Sequence, residues 1–267
     1  MAIWIGPAGT PTTVSTGTID GIKEVENLGL NAMEVQFSHG VRMSVEGAKK
    51  VGEAKGNVRL SIHAPYFINL LSTEMEKVEA SRKRILDSVE RGHHMGANIV
   101  VIHCGYYGEL GAEESYEKMK AEFEGLSDEV KSNGWKVALG PETAGKMKQW
   151  GRLDEIVKLC EEVKGCEPAV DFAHLYATQA GRVDYKNILD KVSVLKLKVL
   201  HTHFSGIEWS PIGLTGKGNE RRHLPLGSKS PDYSELVKEI LKRKLNITLI
   251  SESPLLEKDA LVLKGMF

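Results

Sequence analysis

Trp135-Lys136-Val137-Ala138-Leu139-Gly140-Pro141-Glu142-Thr143-Ala144-Gly145 is an apolar run that stops at a Gly-Pro turn and hands over to a carboxylate. The run predicts a strand over 135–139 with Glu142 just beyond its tip. The same arrangement recurs along the chain, where His63, His103, Asp171, His203 and Glu252 also close short apolar runs. Six strands that each deliver a metal-ligand or acid/base side chain to one end of a sheet describe an α/β barrel, whose site lies at the C-terminal face.

Working outward from 135–139, strands are expected at 3–5, 32–37, 59–63, 99–103, 168–172, 198–204 and 247–252. Helices are expected at 18–28, at 44–54 with Ser44 as cap, and at 73–94, 112–133, 153–163, 185–192 and 231–244. This makes eight βα units with the last helix partial, and alternation of this kind argues for parallel pairing. The fold class is therefore α/β, a (β/α)8 TIM barrel forming a single domain over 1–267, close to the roughly 250 residues usual for one. The long connection at about 205–230 carries Gly206, Gly213, Gly216, Gly218 and Gly227 with Lys217, Arg221, Arg222 and Lys229. It is expected to be irregular and functional, since long structureless loops in compact domains usually are.

Bulk composition excludes more than it proposes. Hydrophobic content of 41% and charged content of 27% are ordinary for a globular protein, and a formal net charge of −1 offers no global attraction to polyanions. Any nucleic-acid contact must come from local basic groups. Cys104, Cys160 and Cys166 are too few and too unevenly spaced for a disulfide framework, so a reducing cytoplasm is the expected setting. The N-terminal Met1-Ala2-Ile3-Trp4-Ile5-Gly6 lacks the basic region of a signal peptide, and no run approaches the roughly 20 apolar residues of a membrane span. A monomer is expected.

Pairs two apart share a face of a strand, so Ser61, Val101, Gly140, Ala169, His201 and Ile250 lie one layer beneath the six tips. Only His201 is out of character for a barrel interior, and it is expected to be a hydrogen-bonding partner behind the ligands. The ligand-type residues number eight: His63, His103, Glu142, Asp171, His174, His203, His223 and Glu252. Imidazoles and carboxylates without thiolates suit zinc or manganese, and eight such residues imply at least two ions. Two ions bridged by a carboxylate suit displacement at phosphorus. His39, His93 and His94 fall off the pattern and are read as structural or solvated. No Gly-x-Ser-x-Gly elbow, His-Glu-x-x-His or Walker-type phosphate loop occurs.

Ser61-Ile62-His63-Ala64-Pro65-Tyr66-Phe67-Ile68-Asn69-Leu70 resembles the third-strand motif of endonuclease IV, the abasic-site endonuclease family of the zinc-dependent barrels. Val101-Ile102-His103-Cys104-Gly105, Pro141-Glu142-Thr143-Ala144-Gly145, Val170-Asp171-Phe172-Ala173-His174, His203-Phe204-Ser205 and Ser251-Glu252-Ser253-Pro254 are similar to its later motifs, in order. The resemblance implies incision 5′ to an abasic site in duplex DNA, with Glu142 and Glu252 catalytic and two or three Zn2+ ions, Mn2+ being an alternative. It implies His63, His103 and Glu142 for a first ion, Glu142, Asp171, His203 and Glu252 for a second, and His174 and His223 for a third. The family's Asp-x-His pair stands here as Arg221-Arg222-His223, with Glu220 one residue further back, so the third ion is held by Glu220 after a loop adjustment, held weakly, or absent. Tyr66 and Phe67 match residues that insert at the lesion; Arg42, Arg221 and Arg222 are the candidate DNA-contacting cations. The alternative is a single-metal sugar isomerase or epimerase of the same barrel superfamily, using Glu142, Asp171, His203 and Glu252.

Overall fold

The computed structural model of the chain describes residues 1–227 and 231–267. Eight strands run parallel in two arcs. One arc holds β2 (Ala32–Gln36), β3 (Arg59–His63), β4 (Ile99–Ile102) and β5 (Ala138–Pro141). The other holds β6 (Ala169–Asp171), β7 (Leu200–Phe204), β10 (Ile247–Ser251) and β1 (Ile3–Pro7). Bridges at Ala8↔Glu34 on one side, and Leu139↔Cys166 and Glu142↔Ala169 on the other, join the arcs into a closed ring. The predicted TIM barrel is the fold.

Helices cover the outside: α1 (Thr18–Asn27), α2 (Val45–Ala54), α3 (Met75–Met95), α4 (Ala112–Ser132), α5 (Leu153–Glu162), α6 (Phe172–Thr178), α7 (Tyr185–Ser193), α8 (Tyr233–Arg243) and α9 (Glu257–Lys264). Local chemistry sets their ends. Ser44 accepts the Gly47 N–H at 3.1 Å and starts α2, as the sequence indicates. Gly96 at φ 66° closes α3, a conformation that glycine adopts without a Cβ penalty. The apolar core lies mainly between strands and helices, with Ile22, Leu60, Ile85, Val100, Phe123 and Ile240 buried there.

Two expectations need correction. The connection after β7 is not irregular: it forms an antiparallel hairpin, β8 (Gly206–Pro211) with β9 (Gly218–Leu224). The scattered glycines hid its alternation. Ser228, Lys229 and Ser230, at the end of that connection, lie outside the described residues. The strand expected at 135–139 begins only at Ala138, because Gly134 at φ 69° turns the chain while Trp135 N–H is still bonded to Val130 C=O at 3.0 Å. Helix α6, directly after β6, also escaped the sequence pattern. Among the described residues no helix is long and apolar enough to cross a membrane.

Closure of the ring puts β1 hard against β2. A Cβ on Gly6 would overlap the Ala32 backbone carbonyl. Gly6→Ala is therefore expected to lower folding stability by at least about 1–3 kcal/mol, the usual cost of forced overpacking, measured as a fall in the urea midpoint.

Candidate metal centre

The barrel geometry converges the six strand-tip residues on one point at the C-terminal mouth. Glu142 sits at the middle, its backbone N–H donating to Ile102 C=O at 3.0 Å and its carboxylate fully buried. Oε2 faces His103 Nε2 at 3.2 Å and His63 Nε2 at 3.5 Å; Oε1 faces His203 Nδ1 at 2.9 Å and His174 Nδ1 at 3.6 Å. Glu252 lies 3.5 Å from His203 Nδ1 and 3.8 Å from His223 Nδ1.

Each of four imidazoles is anchored through one nitrogen while the other faces the cluster. His63 Nδ1–H donates to Ala64 C=O at 2.8 Å, and His174 Nδ1–H donates to Thr143 C=O at 2.9 Å, freeing Nε2 in both. His203 is anchored the other way, its Nε2 3.1 Å from Glu34 Oε2. His223 Nδ1 lies 3.1 Å from Ser205 Oγ. Outer partners that fix ring orientation in this way are the usual support of metal-binding histidines. Asp171 divides its carboxylate: Oδ1 accepts the His174 N–H at 2.7 Å and caps α6, leaving Oδ2 toward the site.

The residue types and spacing fit metal ions. His63, His103 and Glu142 form one set whose ligand atoms lie within 4.8 Å of one another; Glu142, Asp171, His203 and Glu252 form a second, and Asp171, His174, His223 and Glu252 a third. His63 Nε2, Glu142 Oε2 and Asp171 Oδ2 are buried without a hydrogen-bond partner, which is costly unless something electropositive meets them.

Charge in the cluster is balanced by protons. Burial disfavours a charged His63, but the Glu142 carboxylate, with Glu252 and Glu34 behind it, reverses this and pushes its pKa up to about 9. His174 also reaches about 9: burial opposes the charge, and Asp171, Glu220 and Glu142 outweigh it. Burial dominates at His103 and pushes it down to about 4. Glu142, despite burial, is held well below the usual carboxylate range by His103, His203 and His63.

Glu34 is the residue that strand-tip reasoning missed. It is fully buried one layer below the mouth, where its Oε2 accepts from Ser61 Oγ at 2.9 Å and meets His201 and His203 Nε2, each at 3.1 Å. His201, expected to hydrogen-bond behind the ligands, meets Glu34, which also holds His203. A carboxylate among Met33 and Val35 at a strand position was the available signal; a charged residue in a buried strand asks for a partner.

Tyr66 and Phe67 are 54% and 65% exposed at the rim, unusually high for large aromatic side chains, and Tyr66 stacks on His103 with centroids 6.4 Å apart. The rim encloses a cleft of about 600 Å³ lined in part by Tyr66, His103, His174, Glu220, His223 and Glu252. Arg42 is exposed in the loop after β2. Arg221 and Arg222 are exposed and tied to Ser210 Oγ at 3.1 Å and Glu208 Oε2 at 2.7 Å across the hairpin.

This is an α/β barrel whose mouth carries several groups of residues that could hold a metal ion, and residues 22–264 match the family described as xylose isomerase-like TIM barrel. The chain belongs to that family. It is 38% identical over 266 residues to an uncharacterised protein of Methanocaldococcus jannaschii, covering 97% of this chain and 94% of that one. It is 28% identical over 231 residues to a probable endonuclease 4 of Shouchella clausii, covering 81% and 75%. Among solved structures, endonuclease IV from Thermus thermophilus superposes with a TM-score of 0.70 at 22% identity, covering 95% of each chain. A D-tagatose 3-epimerase-like protein superposes with a TM-score of 0.71 at 17% identity, covering 100% and 95%. The fold is thus shared with both nucleases and sugar epimerases.

Ligation requires neutral rings, whereas the carboxylates Glu34, Glu252 and Glu142 raise His203 well above the ordinary imidazole value, and the neighbours of His63 and His174 raise these to about 9. Loading with a divalent metal at pH 7 is expected to release about three protons per chain, one each from His63, His174 and His203, read by calorimetry in buffers of different ionisation enthalpy. Because the folded-state values of His63 and His174 lie above the ordinary 6.5, their protonation stabilises the metal-free fold fully below pH 6.5. That contribution is lost as pH rises through about 9, so the metal-free melting temperature should fall across this window.

Proposed function

We propose that the chain is a zinc-dependent phosphodiesterase of base excision repair, cutting duplex DNA 5′ to an abasic site as a monomer in the cytoplasm. The products are a 3′-hydroxyl and a 5′-deoxyribose phosphate. The supporting observation is the number of imidazoles built into the mouth. A single-metal isomerase would use Glu142, Asp171, His203 and Glu252. His63, His103, His174 and His223 would then have no task, although Nε2 of the first two faces Glu142 and Nε2 of the last two faces Glu220.

In this proposal His63, His103 and Glu142 hold one ion, Glu142, Asp171, His203 and Glu252 a second, and His174 with His223 a third. Zinc at such sites acidifies water and neutralises charge on phosphoryl oxygens. Glu142, with Glu252, would orient the attacking water by accepting its hydrogen bonds. The water oxygen joins phosphorus, the P–O3′ bond opens, and the proton given up by the water passes to the departing oxygen, which leaves as the 3′-hydroxyl. Glu34 holds His203 from below, and the barrel wall keeps bulk water from the carboxylates.

Tyr66 and Phe67 suit an abasic duplex, since exposed rings at the rim can occupy the space where a base is missing. Arg42, Arg221 and Arg222 would meet phosphates beyond the mouth, giving the local positive charge that a chain of net charge −1 needs. The epimerase alternative predicts one ion and a sugar substrate.

Incision of a duplex with one tetrahydrofuran abasic analogue tests the proposal directly: a single cut 5′ to the analogue is expected, and no cut with zinc or manganese supplied would turn attention to sugar isomerisation. Glu142→Gln is expected to slow the cut at least roughly 100-fold, about 2.7 kcal/mol of barrier, with the fold intact by circular dichroism. Tyr66→Ala should narrow the binding preference for abasic over intact duplex by roughly 5- to 150-fold, the range that base–aromatic stacking of about 1–3 kcal/mol provides, while leaving the metal content unchanged. Equal binding of both duplexes by the parent chain would remove the wedge role.

A further inference from the structure

Glu220 and His223 are three apart on β9, a spacing that in a regular strand sends side chains to opposite faces. Both nevertheless reach His174. Glu220 Oε2 lies 3.6 Å from His174 Nε2, and His223 Nε2 lies 3.3 Å from the same atom and 3.7 Å from Glu220 Oε1.

The hairpin register explains this. Trp209 stands opposite Glu220, Glu208 opposite Arg222, and Ile207 opposite His223. One step along β8 is matched by two along β9, so Arg221 is the extra residue of a β-bulge. Glu220 and His223 therefore face partners only two apart, and they come out on one face. The exposed Arg221 and Arg222 are tied to Ser210 and Glu208 instead of entering the site.

The neighbouring turn is shaped for the carboxylate. Glu220 N–H donates to Gly145 C=O at 2.8 Å, and Asn219 Oδ1 accepts the Met147 N–H at 2.8 Å, which pins the hairpin to the turn after β5. A Cβ at Gly145 would run into the Glu220 carboxylate and stand 2.8 Å from His174 Cδ2. Behind His174, the fully buried Asp171 Oδ2 has no hydrogen-bond partner.

We infer that Glu220 supplies the carboxylate ligand of a divalent ion held with His174 and His223, the bulge at Arg221 converting a Glu-x-x-His spacing into a same-face pair. This inference rests on the metal-dependent proposal above, but not on the substrate. Of the three outcomes the sequence left open, binding through Glu220 is the one inferred, with the bulge in place of the loop adjustment.

The experiment counts zinc in the full-length chain by elemental analysis after equilibration, and follows affinity by competition with a chromophoric chelator. The parent chain is expected to hold three ions. Glu220→Gln and His223→Ala should each hold two, or bind the weakest ion more than about 10-fold less tightly, since losing even an outer partner of a ligand costs roughly 10- to 100-fold. Glu208→Ala, on the other strand of the hairpin, should keep three at parental affinity. Circular dichroism and melting establish that each variant is folded. Three ions at unchanged affinity in Glu220→Gln, or only two in the parent chain at saturating zinc, would overturn the assignment. A parent chain with a Glu220-dependent third ion that leaves abasic DNA intact would overturn the proposed function and leave this inference standing.

Discussion

The Glu142 carboxylate, fully buried and ringed by imidazole nitrogens, is the constraint on which the rest of the mouth depends. A buried charge costs several kcal/mol unless it is compensated, and here compensation must come from cations, whether protons on histidine or metal ions. Every nearby feature serves that requirement. Backbone carbonyls of Ala64 and Thr143 fix two rings, Glu34 fixes a third, and Asp171 spends one oxygen on a helix cap so that the other faces inward.

Such a cluster would strain a small or flexible scaffold. A closed barrel tolerates it because strand order and register leave no edge to open, and a wide apolar layer beneath the helices carries the stability. The polar layer continues below the mouth, where Ser61, His201 and Glu34 occupy interior positions expected to be mostly small or apolar. Burial of Glu34 is acceptable because its oxygens are met by several donors, which also ties the orientation of His203 to the opposite side of the barrel.

Nucleases and sugar epimerases share this fold, and in this chain Glu142, Asp171, His203 and Glu252 form one potential metal-binding set. Histidines from β3, the tip of β4, α6 and the hairpin extend that potential set into three overlapping ones, and exposed aromatic side chains stand at the rim.

Much of this was legible in the sequence, because it depends on short-range periodicity. Alternating apolar runs and amphipathic helices dictate a parallel α/β barrel, and the ligand-type residue at the end of each run dictates which mouth carries the site; His63, His103, Glu142, Asp171, His203 and Glu252 all converge there. Glu34, the β8–β9 hairpin and the position of Glu220 were not legible. Glu34 finds its partners 27, 167 and 169 residues away, and Glu220 is aimed by a bulge that exists only once β8 and β9 pair. Period and turn chemistry are written in neighbouring residues, whereas the pairing of distant strands and the direction a bulged side chain takes are settled by tertiary packing, which no local pattern encodes.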